Sequence, residues 1–488
     1  MSATNAVVKR VAALAPARPK RTVPISIVTG HLRRFLANQT DGGFAEWFFA
    51  MCADDVRYIA EYRVWALWEG RRWMIDGANA VRERVKESIR AILTLIPQER
   101  DKKRQQKMLQ LAHRYDNVDK IEKMLKYAQT DPRVLTSIKD YDQNPWLLNV
   151  ANGTIDLQTG NLLVPQRDHM ITKVIEIQYD AHASAPTWAA FLDRIMREHA
   201  DVIPFLRRAV GYTLTASTRE HLFFVLYGTG RNGKSTFVEA IMAMLGEYAQ
   251  ASNPETWLRQ SGGRGAEPDI ARLPGVRLVS TAEIGEGRAL DEARVKALVA
   301  GDTITTRNLY QSAFDFVPAC KLWISTNHAP QIKGNDEGMW RRVCLVPFDQ
   351  TISYDEMDRD LPNKLRNELP GILTWAVQGC LEWQRDGIGM PGVVRAKTDE
   401  YRTDQDVIGQ WIDECCDVDP DAKESGSALY ASYAEWARAR GERHPFTGTA
   451  FGRRLTDRGV SSQRIGGVAW RVGLRLRQDL NADRRYGE

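Results

Sequence analysis

The residues best suited to chemistry lie in the segment Gly228-Thr-Gly-Arg-Asn-Gly-Lys-Ser-Thr236, which contains the Walker A pattern G-x-x-x-x-G-K-[ST]. Its glycines let the backbone curl so that N–H groups surround phosphate oxygens. Lys234 would reach the β- and γ-phosphates, and Ser235 would hold Mg²⁺. The segment predicts a site for ATP and Mg²⁺ in which the whole loop contacts nucleotide: Gly228, Thr229, Gly230, Arg231, Asn232, Gly233, Lys234, Ser235 and Thr236.

The elements on both sides of this loop must position it. The apolar run from Leu222 to Tyr227 predicts a strand that is buried on both faces, as in a parallel sheet. Behind the loop, apolar residues from Phe237 to Leu245 recur at helical spacing. A chance glycine-rich turn with a solvated lysine is the alternative interpretation. The order of strand, loop and helix favours nucleotide binding.

An acidic residue is expected near the metal, at the end of a neighbouring strand. Val276-Arg-Leu-Val-Ser280 predicts a buried strand, and Glu283 and Glu286 follow it. Glu283 is the first candidate to orient Mg²⁺ and polarise the attacking water, with Glu286 as the second. A glutamate that merely caps a loop is the alternative for either residue alone.

A polar residue and two arginines continue the series. The strand Lys321-Leu-Trp-Ile-Ser-Thr326 stops at Asn327, which would position the lytic water close to the γ-phosphate. Arg341 and Arg342 follow and suit an arginine finger supplied by a neighbouring subunit, because a guanidinium stays charged and clamps phosphate. Solvated surface arginines are the alternative.

A β-hairpin lies between these strands. Residues 301–307 and 313–317 alternate at period two, which places Arg307, Asn308 and Tyr310 near the tip of the hairpin.

The region before the Walker segment shows mixed patterns. Short apolar runs from Val56 to Asp76 predict a small β-meander, residues 78–128 a long charged helical stretch, and Trp146 to Leu157 a hairpin with an Asn152-Gly153 turn. The pair Asp54-Asp55 lacks a third carboxylate, so we interpret it as a turn or cap. The basic run 100–107 suits a solvated helix face better than nucleic acid.

The chain after Pro391 changes in composition. Residues 399–421 are acidic and predict a helix, with a loop at 421–427. Two further helices and a two-stranded wing with a Gly466-Gly467 turn make a winged-helix pattern. Its candidate DNA contacts are Arg453, Arg454 and Arg471. A packing or oligomerisation domain whose arginines merely solvate it is the alternative.

Composition bounds these interpretations. A chain of 488 residues suggests about three domains. The net charge of +5 excludes a general polycation, and no apolar run is long enough to span a membrane. Six cysteines without zinc spacing indicate reduced thiols in a cytosolic protein. Residues 1–25 are basic and predict a disordered arm rather than a transit peptide.

The order and spacing of these motifs resemble superfamily 3 helicases, the AAA+-like motors of viruses, phages and plasmids. Several connecting phrases are similar to the phage and plasmid primase-helicase branch, which is related to the poxvirus replication helicase. These phrases are Trp146-Leu-Leu-Asn-Val150, Asn152-Gly-Thr-Ile-Asp-Leu157, Thr326-Asn-His328, Trp340-Arg-Arg342 and Glu368-Leu-Pro-Gly-Ile372. The resemblance covers about residues 30 to 415.

The resemblance implies a hexameric ring with ATP between subunits that moves along single-stranded DNA, usually 3′ to 5′. It also implies that the hairpin projects into the channel, where Arg307 would pair with phosphate and Tyr310 with a sugar or base. A structural hairpin is the alternative. Two features depart from the family. There is no room ahead of this region for a primase domain, so priming is not expected, and Ala282-Glu283 replaces an adjacent acidic pair.

We therefore expect a multidomain α/β protein. Its expected parts are a basic arm (1–25), an α+β N-terminal domain (26–185), an AAA+-like ATPase with a parallel sheet (186–390) and a winged-helix-like domain (391–488). The expected function is that of a replicative DNA helicase of a phage, prophage or plasmid, in the bacterial cytoplasm. Expected partners are forked and single-stranded DNA, copies of the same chain and a separate primase, with no membrane.

Three rivals remain. An origin-binding initiator or helicase loader would hydrolyse ATP without processive unwinding. A small-molecule P-loop kinase would have no use for the hairpin, the paired arginines or the winged helix. A DNA-binding scaffold with a degenerate nucleotide site is disfavoured by the intact Lys234, Ser235, Glu283 and Asn327.

Overall fold

A computed structural model describes residues 25–76, 79–260, 267–285, 287–307, 313–332, 337–440, 445–466 and 468–477. Almost all of the expected basic arm lies outside these residues, as do Glu286, Asn308 and Tyr310. The description of the fold and of the candidate site therefore rests on the described ranges.

The N-terminal region combines helices with a small sheet of order β3-β2-β1-β4. The expected meander is confirmed, since β1 pairs with β2 and β2 with β3, both antiparallel. The elements are α1 (Ile25–Ala37), α2 (Asp41–Cys52), β1 (Val56–Ile59), β2 (Val64–Trp68), β3 (Trp73–Asp76), α3 (Asn79–Leu95), α4 (Lys102–Tyr115), α5 (Val118–Ala128) and β4 (Leu135–Thr136).

The expected long helical stretch is divided into three helices for local reasons. Pro97 lies in a 3-10 turn after α3, because a proline cannot continue the hydrogen-bond ladder of a helix. The Asp101 and Asn117 side chains accept backbone N–H bonds at the starts of α4 and α5. The Asp54-Asp55 pair lies in another 3-10 turn, as predicted. Asp55 also forms an ion pair with Arg167 at 2.6 Å, which the sequence did not indicate.

A second antiparallel sheet follows, of order β5-β6-β7, with β5 (Leu147–Val150), β6 (Gly153–Asp156) and β7 (Asn161–Leu163). The hairpin is confirmed, but the Asn152-Gly153 turn was placed one residue too late. Val150 pairs with Gly153, so Ala151 and Asn152 form the turn. Gly153 belongs to the strand, where a Cβ would lie 2.7 Å from the Leu163 carbonyl oxygen.

The central region is built on a parallel sheet of order β14-β8-β13-β10-β9. Helices cover both faces, and all five residues of β14 and all six of β13 are buried. Its elements are α6 (Pro186–Ile195), α7 (Val202–Leu214), β8 (Phe223–Tyr227), α8 (Lys234–Leu245), β9 (Ala249–Ala251), α9 (Pro268–Ala271), β10 (Leu278–Ala282), α10 (Glu292–Ala300), β11 (Ile304–Thr306), β12 (Phe314–Phe316), β13 (Lys321–Thr326), α11 (Glu337–Trp340), β14 (Val343–Pro347), α12 (Leu361–Asn367) and α13 (Leu369–Asp386).

Aromatic packing fixes the strand and helix that hold the Walker segment. The rings of Phe224 in β8 and Trp323 in β13 stack at 4.3 Å, and Phe237 in α8 lies 6.0 Å from Trp323. Trp188 in α6 stacks on Phe237 at 5.5 Å. The apolar residues that recur at helical spacing from Phe237 to Leu245 are thus in the core, and together with Trp188 of α6 they anchor the loop between β8 and α8.

The C-terminal region begins with two helices, which are followed by a strand, two more helices and two strands. Its antiparallel sheet has the order β15-β17-β16. The elements are α14 (Gly392–Asp404), α15 (Val407–Cys415), β15 (Cys416–Ser425), α16 (Gly426–Ala439), α17 (Gly448–Asp457), β16 (Ser461–Ile465) and β17 (Val468–Leu476). The β16–β17 hairpin is confirmed; Gly466 lies in its turn with φ +60°, and Gly467 is outside the described residues.

The expected helix to Asp421 and the loop at 421–427 were wrong. The helix ends at Cys415, and residues 416–425 form a strand paired with β17. The register shifts between Val418 and Lys423, and this irregularity accommodates Pro420, which cannot donate to a regular ladder.

All six cysteines lie within the described residues as free thiols, and Cys320, Cys344, Cys380 and Cys416 are buried. Burial raises the pKa of the Cys320 thiol to about 12, so it stays protonated near neutral pH. In the described ranges, no helix combines the length and the apolar character needed to cross a membrane.

Candidate active site

The Walker loop connects the carboxyl end of β8 to the amino end of α8, in the middle of the parallel sheet. Gly233 caps the helix with φ +83°, a conformation that favours glycine, and it has no side chain to accept the first amide groups of α8. At Gly228 a Cβ would lie 2.2 Å from the Phe348 carbonyl oxygen. The glycines therefore permit a tight loop that leaves a helix N-terminus open to an anion.

Lys234 points back into this loop and is only 5% exposed. Its ammonium group donates to the Gly228 carbonyl at 2.6 Å, to Asn232 Oδ1 at 3.0 Å and to Asn327 Oδ1 at 3.1 Å. All three acceptors are neutral, and no carboxylate of the described residues pairs with this ammonium group. Burial lowers the pKa of Lys234 to about 8. Because this cation lies at the open N-terminus of α8, it suits the binding of a phosphate group.

Asn232 holds the loop against the next strand. Its amide nitrogen donates to the Thr229 carbonyl at 2.7 Å and to the Phe348 carbonyl at 2.9 Å. The side chain is 3% exposed, so its role in the described structure is to brace the loop and to orient Lys234. The backbone of Phe348 is a partner that the motif did not reveal, because it lies more than a hundred residues further along the chain.

The carboxyl edge of the sheet brings two further candidates to the loop. Thr326 pairs with Tyr227 and Ala282 with Ser325, so Asn327 and Glu283 follow neighbouring strands at nearly the same level. Asn327 bonds Lys234 directly, and the Glu283 N–H donates to the Ser325 carbonyl at 3.0 Å. Glu283 is exposed and has φ +56°. The structure thus places Lys234, Asn327 and Glu283 along one edge.

The residues of this edge suit ATP and Mg²⁺. The Ser235 side chain is exposed in the first turn of α8 and Glu283 is exposed at the end of β10, so each offers an oxygen of the kind that Mg²⁺ prefers. Among the described residues no cluster of three or more His, Cys, Asp or Glu side chains could hold a metal by itself. Nucleotide oxygens and water would therefore complete the coordination, as is usual for Mg²⁺.

The paired arginines lie at the opposite end of the strands from the Walker loop, where β14 begins. The Phe223 N–H donates to the Arg342 carbonyl at 2.9 Å, and Val343 pairs with Phe223, at the amino ends of β8 and β14. The Arg341 side chain is exposed and has no ion-pair partner within the described ranges. The Arg342 guanidinium donates to the Gly338 carbonyl. The arginines are therefore a strand length away from the Walker loop of their own chain.

The expected hairpin is present. β11 and β12 pair antiparallel from Ile304–Phe316 to Thr306–Phe314, and Arg307 is exposed beyond the pairing. Asn308 and Tyr310 lie outside the described residues, so DNA contact at the tip stays a prediction.

The three candidate arginines of the C-terminal region differ in exposure and in the groups that their side chains contact. Arg453 is exposed on α17. The Arg454 guanidinium lies 4.1 Å from the centre of the Phe446 ring. Arg471 donates to the Gly452 carbonyl and to Thr456 Oγ1, both at 2.7 Å, and burial lowers its pKa. Arg471 thus joins β17 to α17, a structural role that sequence patterning did not anticipate. Its role in DNA binding stays a prediction.

Two family models match the chain. Residues 45–197 match the model described as "D5 N terminal like", and residues 226–342 match a family of unknown function, DUF5906. The second match includes the Walker loop, Glu283, Asn327, Arg341 and Arg342.

The chain is also similar to proteins of large DNA viruses. It is 27% identical over 334 residues to "Putative helicase L207/L206" of Acanthamoeba polyphaga mimivirus, covering 63% of this chain and 34% of that protein. It is 27% identical over 255 residues to "Putative helicase 022R" of Frog virus 3, covering 48% and 26%. It is 25% identical over 332 residues to "Putative primase C962R" of African swine fever virus, isolate Tick/Malawi/Lil 20-1/1983, covering 61% and 34%. The chain spans about a third or less of the length of these curated relatives.

Among solved structures, the apo structure of the NrS-1 C terminal region (305-718) is similar over 86% of this chain and 96% of that chain, with 10% identity and a TM-score of 0.47. The chain is thus similar to D5-like proteins over its N-terminal part and to viral proteins that are named helicases or primases.

Proposed function

We propose that this protein is an ATP-driven DNA helicase that moves along single-stranded DNA, 3′ to 5′, as a hexameric ring. One observation carries the proposal: the buried Lys234 ammonium group is held by three neutral oxygens, one of them from Asn327, at the open N-terminus of α8. The helix N-terminus and the loop N–H groups around this charge fit a triphosphate.

The chemistry follows from the positions along the edge. Lys234 binds the β- and γ-phosphates and offsets the charge that develops when the terminal phosphate is transferred. Ser235 and Glu283 would hold Mg²⁺, which would neutralise phosphate charge. Asn327 orients the attacking water, and Glu283 polarises it, with Glu286 as the second candidate.

The position of the arginines supports a ring. β8 and β14 pair over five residues, so Arg341 and Arg342 lie roughly 16 Å from the Walker loop of their own chain at about 3.3 Å per residue. A guanidinium must touch the transferred phosphate to act as a finger. An arginine at the amino edge therefore serves the site of a neighbouring subunit, as in a head-to-tail ring. Arg341, which is exposed and has no ion-pair partner among the residues that the structure describes, is the better candidate.

Two surfaces would engage DNA. The β11–β12 hairpin carries Arg307 beyond its paired residues, and in a ring six copies would face the channel. The C-terminal order α15-β15-α16-α17-β16-β17 suits a winged helix that places α17 and Arg453 on duplex DNA. The strand order β14-β8-β13-β10-β9 supports an AAA+-like core.

A forked-duplex strand-displacement assay tests the proposal. We expect wild-type protein to displace the strand with ATP, and single-stranded DNA to stimulate hydrolysis. If rings hydrolyse ATP and bind the fork but displace no strand, the processive-helicase proposal fails and the loader or initiator replaces it. If no ATP is hydrolysed, both fail.

A further inference from the structure

The segment that follows β14 lies beside the Walker loop, on the side away from β13 and Asn327. The Phe348 N–H donates to the Tyr227 carbonyl at 2.8 Å, and the Ile352 N–H donates to the Arg231 carbonyl at 2.8 Å. Together with the bond from Asn232 to the Phe348 carbonyl, these contacts join residues 348–352 to the loop along its length. This segment is therefore part of the rim of the phosphate site.

The same segment presents an aromatic ring beside the loop. Tyr354 is 77% exposed, and the Arg231 guanidinium lies 4.4 Å from its ring centre. Because a guanidinium covers only one face of a ring, the exposure leaves much of the ring open. Arg231 itself is exposed and has φ +59°, an uncommon conformation for a residue other than glycine.

The segment is fixed in place by α6 rather than left loose. Arg194 donates to Glu356 Oε2 at 2.6 Å, and Glu356 also accepts from the Ser353 N–H at 3.2 Å and the Ser353 hydroxyl at 3.1 Å. The Arg194 guanidinium lowers the pKa of Glu356. Tyr354 lies between two residues of this network, so its backbone position is defined before any ligand arrives.

The direction in which the triphosphate runs across the loop determines which part of the nucleotide lies near the Tyr354 ring. Asn327 bonds Lys234 from β13, on one side of β8, so the terminal phosphate belongs on that side. β14 and the segment after it lie on the other side of β8. A nucleoside triphosphate is extended, so the nucleoside at its other end lies towards β14. There Tyr354 offers an open aromatic face.

We infer that Tyr354, supported by Arg231, forms the stacking surface for the base of the bound nucleotide. This inference rests on the proposed function and adds the residue that recognises the base. Every nucleobase has a π face, so stacking is worth several-fold to more than tenfold in affinity without requiring one base sequence or hydrogen-bond pattern. The ligand class is a nucleoside triphosphate with a planar base.

The test compares two ligands that share phosphates and differ in the base. Calorimetric binding is measured for AMPPNP, a non-hydrolysable ATP analogue, and for inorganic tripolyphosphate, each with Mg²⁺. The proteins are wild type, Tyr354→Ala, Tyr354→Phe and the matched control Tyr127→Ala, which alters another tyrosine that is 58% exposed. Both tyrosines are at the surface, so the variants should fold.

We expect Tyr354→Ala to bind AMPPNP about tenfold more weakly and tripolyphosphate within twofold of wild type. Tyr354→Phe keeps the ring and should match wild type for both ligands, as should Tyr127→Ala. Unchanged AMPPNP binding by Tyr354→Ala overturns the inference, and so does an equal loss of both ligands, which would show a general effect on the loop. If wild type binds neither ligand, the nucleotide site itself fails.

Discussion

The Walker loop of the central sheet and the C-terminal unit, which is formed by α15 to β17, both carry basic side chains. These side chains have different kinds of partner in the two regions. Lys234 is buried among neutral oxygens, without a carboxylate partner in the described ranges. In the C-terminal unit, Arg458 pairs with Asp406, Arg475 pairs with Asp417 at 3.3 Å, and Arg471 bonds α17. The comparison separates an ammonium group at an open helix N-terminus, which suits an anion, from arginines that groups of the protein already engage. Burial without a carboxylate is not sufficient, since Lys321 is 1% exposed and donates to the Thr215 and Ala319 carbonyls away from any such loop.

Removal of the Walker lysine should have the largest effect. Lys234→Ala should lower ATP hydrolysis by at least a hundredfold, because it removes the charge that meets the β- and γ-phosphates. Hydrolysis is measured by phosphate release, with and without single-stranded DNA. Hydrolysis within tenfold of wild type would contradict the assignment of the site.

The melting temperature provides the control for that variant. The folded-state pKa of Lys234, about 8, lies below its ordinary value of 10.5, so the buried charge weakens the fold at every pH below about 8. The contribution of Lys234 to stability should therefore rise with pH between about 8 and 10.5, and it is measured as the difference between wild type and Lys234→Ala, because buried thiols such as Cys320 contribute with the opposite sign. Lys234→Ala should melt no lower than wild type at pH 7, which separates loss of activity from loss of folding.

The position of the arginines predicts complementation between subunits. Arg341→Ala and Lys234→Ala should each be inactive alone, because every interface of a uniform ring then lacks one group. Mixed in equal amounts, they should recover up to about a quarter of wild-type hydrolysis, at interfaces that combine an intact lysine with an intact arginine. The same mixture with Arg342→Ala decides between the two arginines. No recovery with either would remove the finger assignment.

A smaller effect should distinguish two arginines of the C-terminal unit. Arg471→Ala removes bonds to Gly452 and Thr456 and should lower the stability of the protein by about 1–2 kcal/mol. Arg453→Ala should leave stability unchanged but weaken duplex DNA binding a few-fold and lower the salt slope by about 1. Thermal melting and DNA binding at several salt concentrations measure both. The reverse pattern would place the DNA contact on Arg471.

Much of the fold follows from local patterns. The apolar runs of β8 and β13 and the helical spacing of α8 predict buried strands and a helix, and the structure has them within about three residues. β15 could not be predicted, because Asp417, Asp419 and Pro420 disfavour a strand locally. The strand exists because β17, about fifty residues later, pairs with it.

The candidate site likewise contains residues that the sequence predicts and residues that it does not. The spacing of the Walker residues identifies Lys234 and Ser235, and the ends of neighbouring strands identify Glu283 and Asn327. Contacts from distant segments had no sequence signal. Phe348 and Tyr354 reach the loop only because β14 lies next to β8. The use of Arg471 as a structural link depends equally on the packing of β17 against α17.

The pH dependence of nucleotide binding tests most directly whether Lys234 is the unpaired charge that takes the phosphate. With a pKa of about 8 in the free protein, AMPPNP affinity should fall about tenfold between pH 7 and pH 9 in wild type. Lys234→Arg stays protonated and provides the reference, since its affinity should change little over this range. If wild type and Lys234→Arg show the same pH dependence, the charge on Lys234 does not govern binding and the account of this site is wrong.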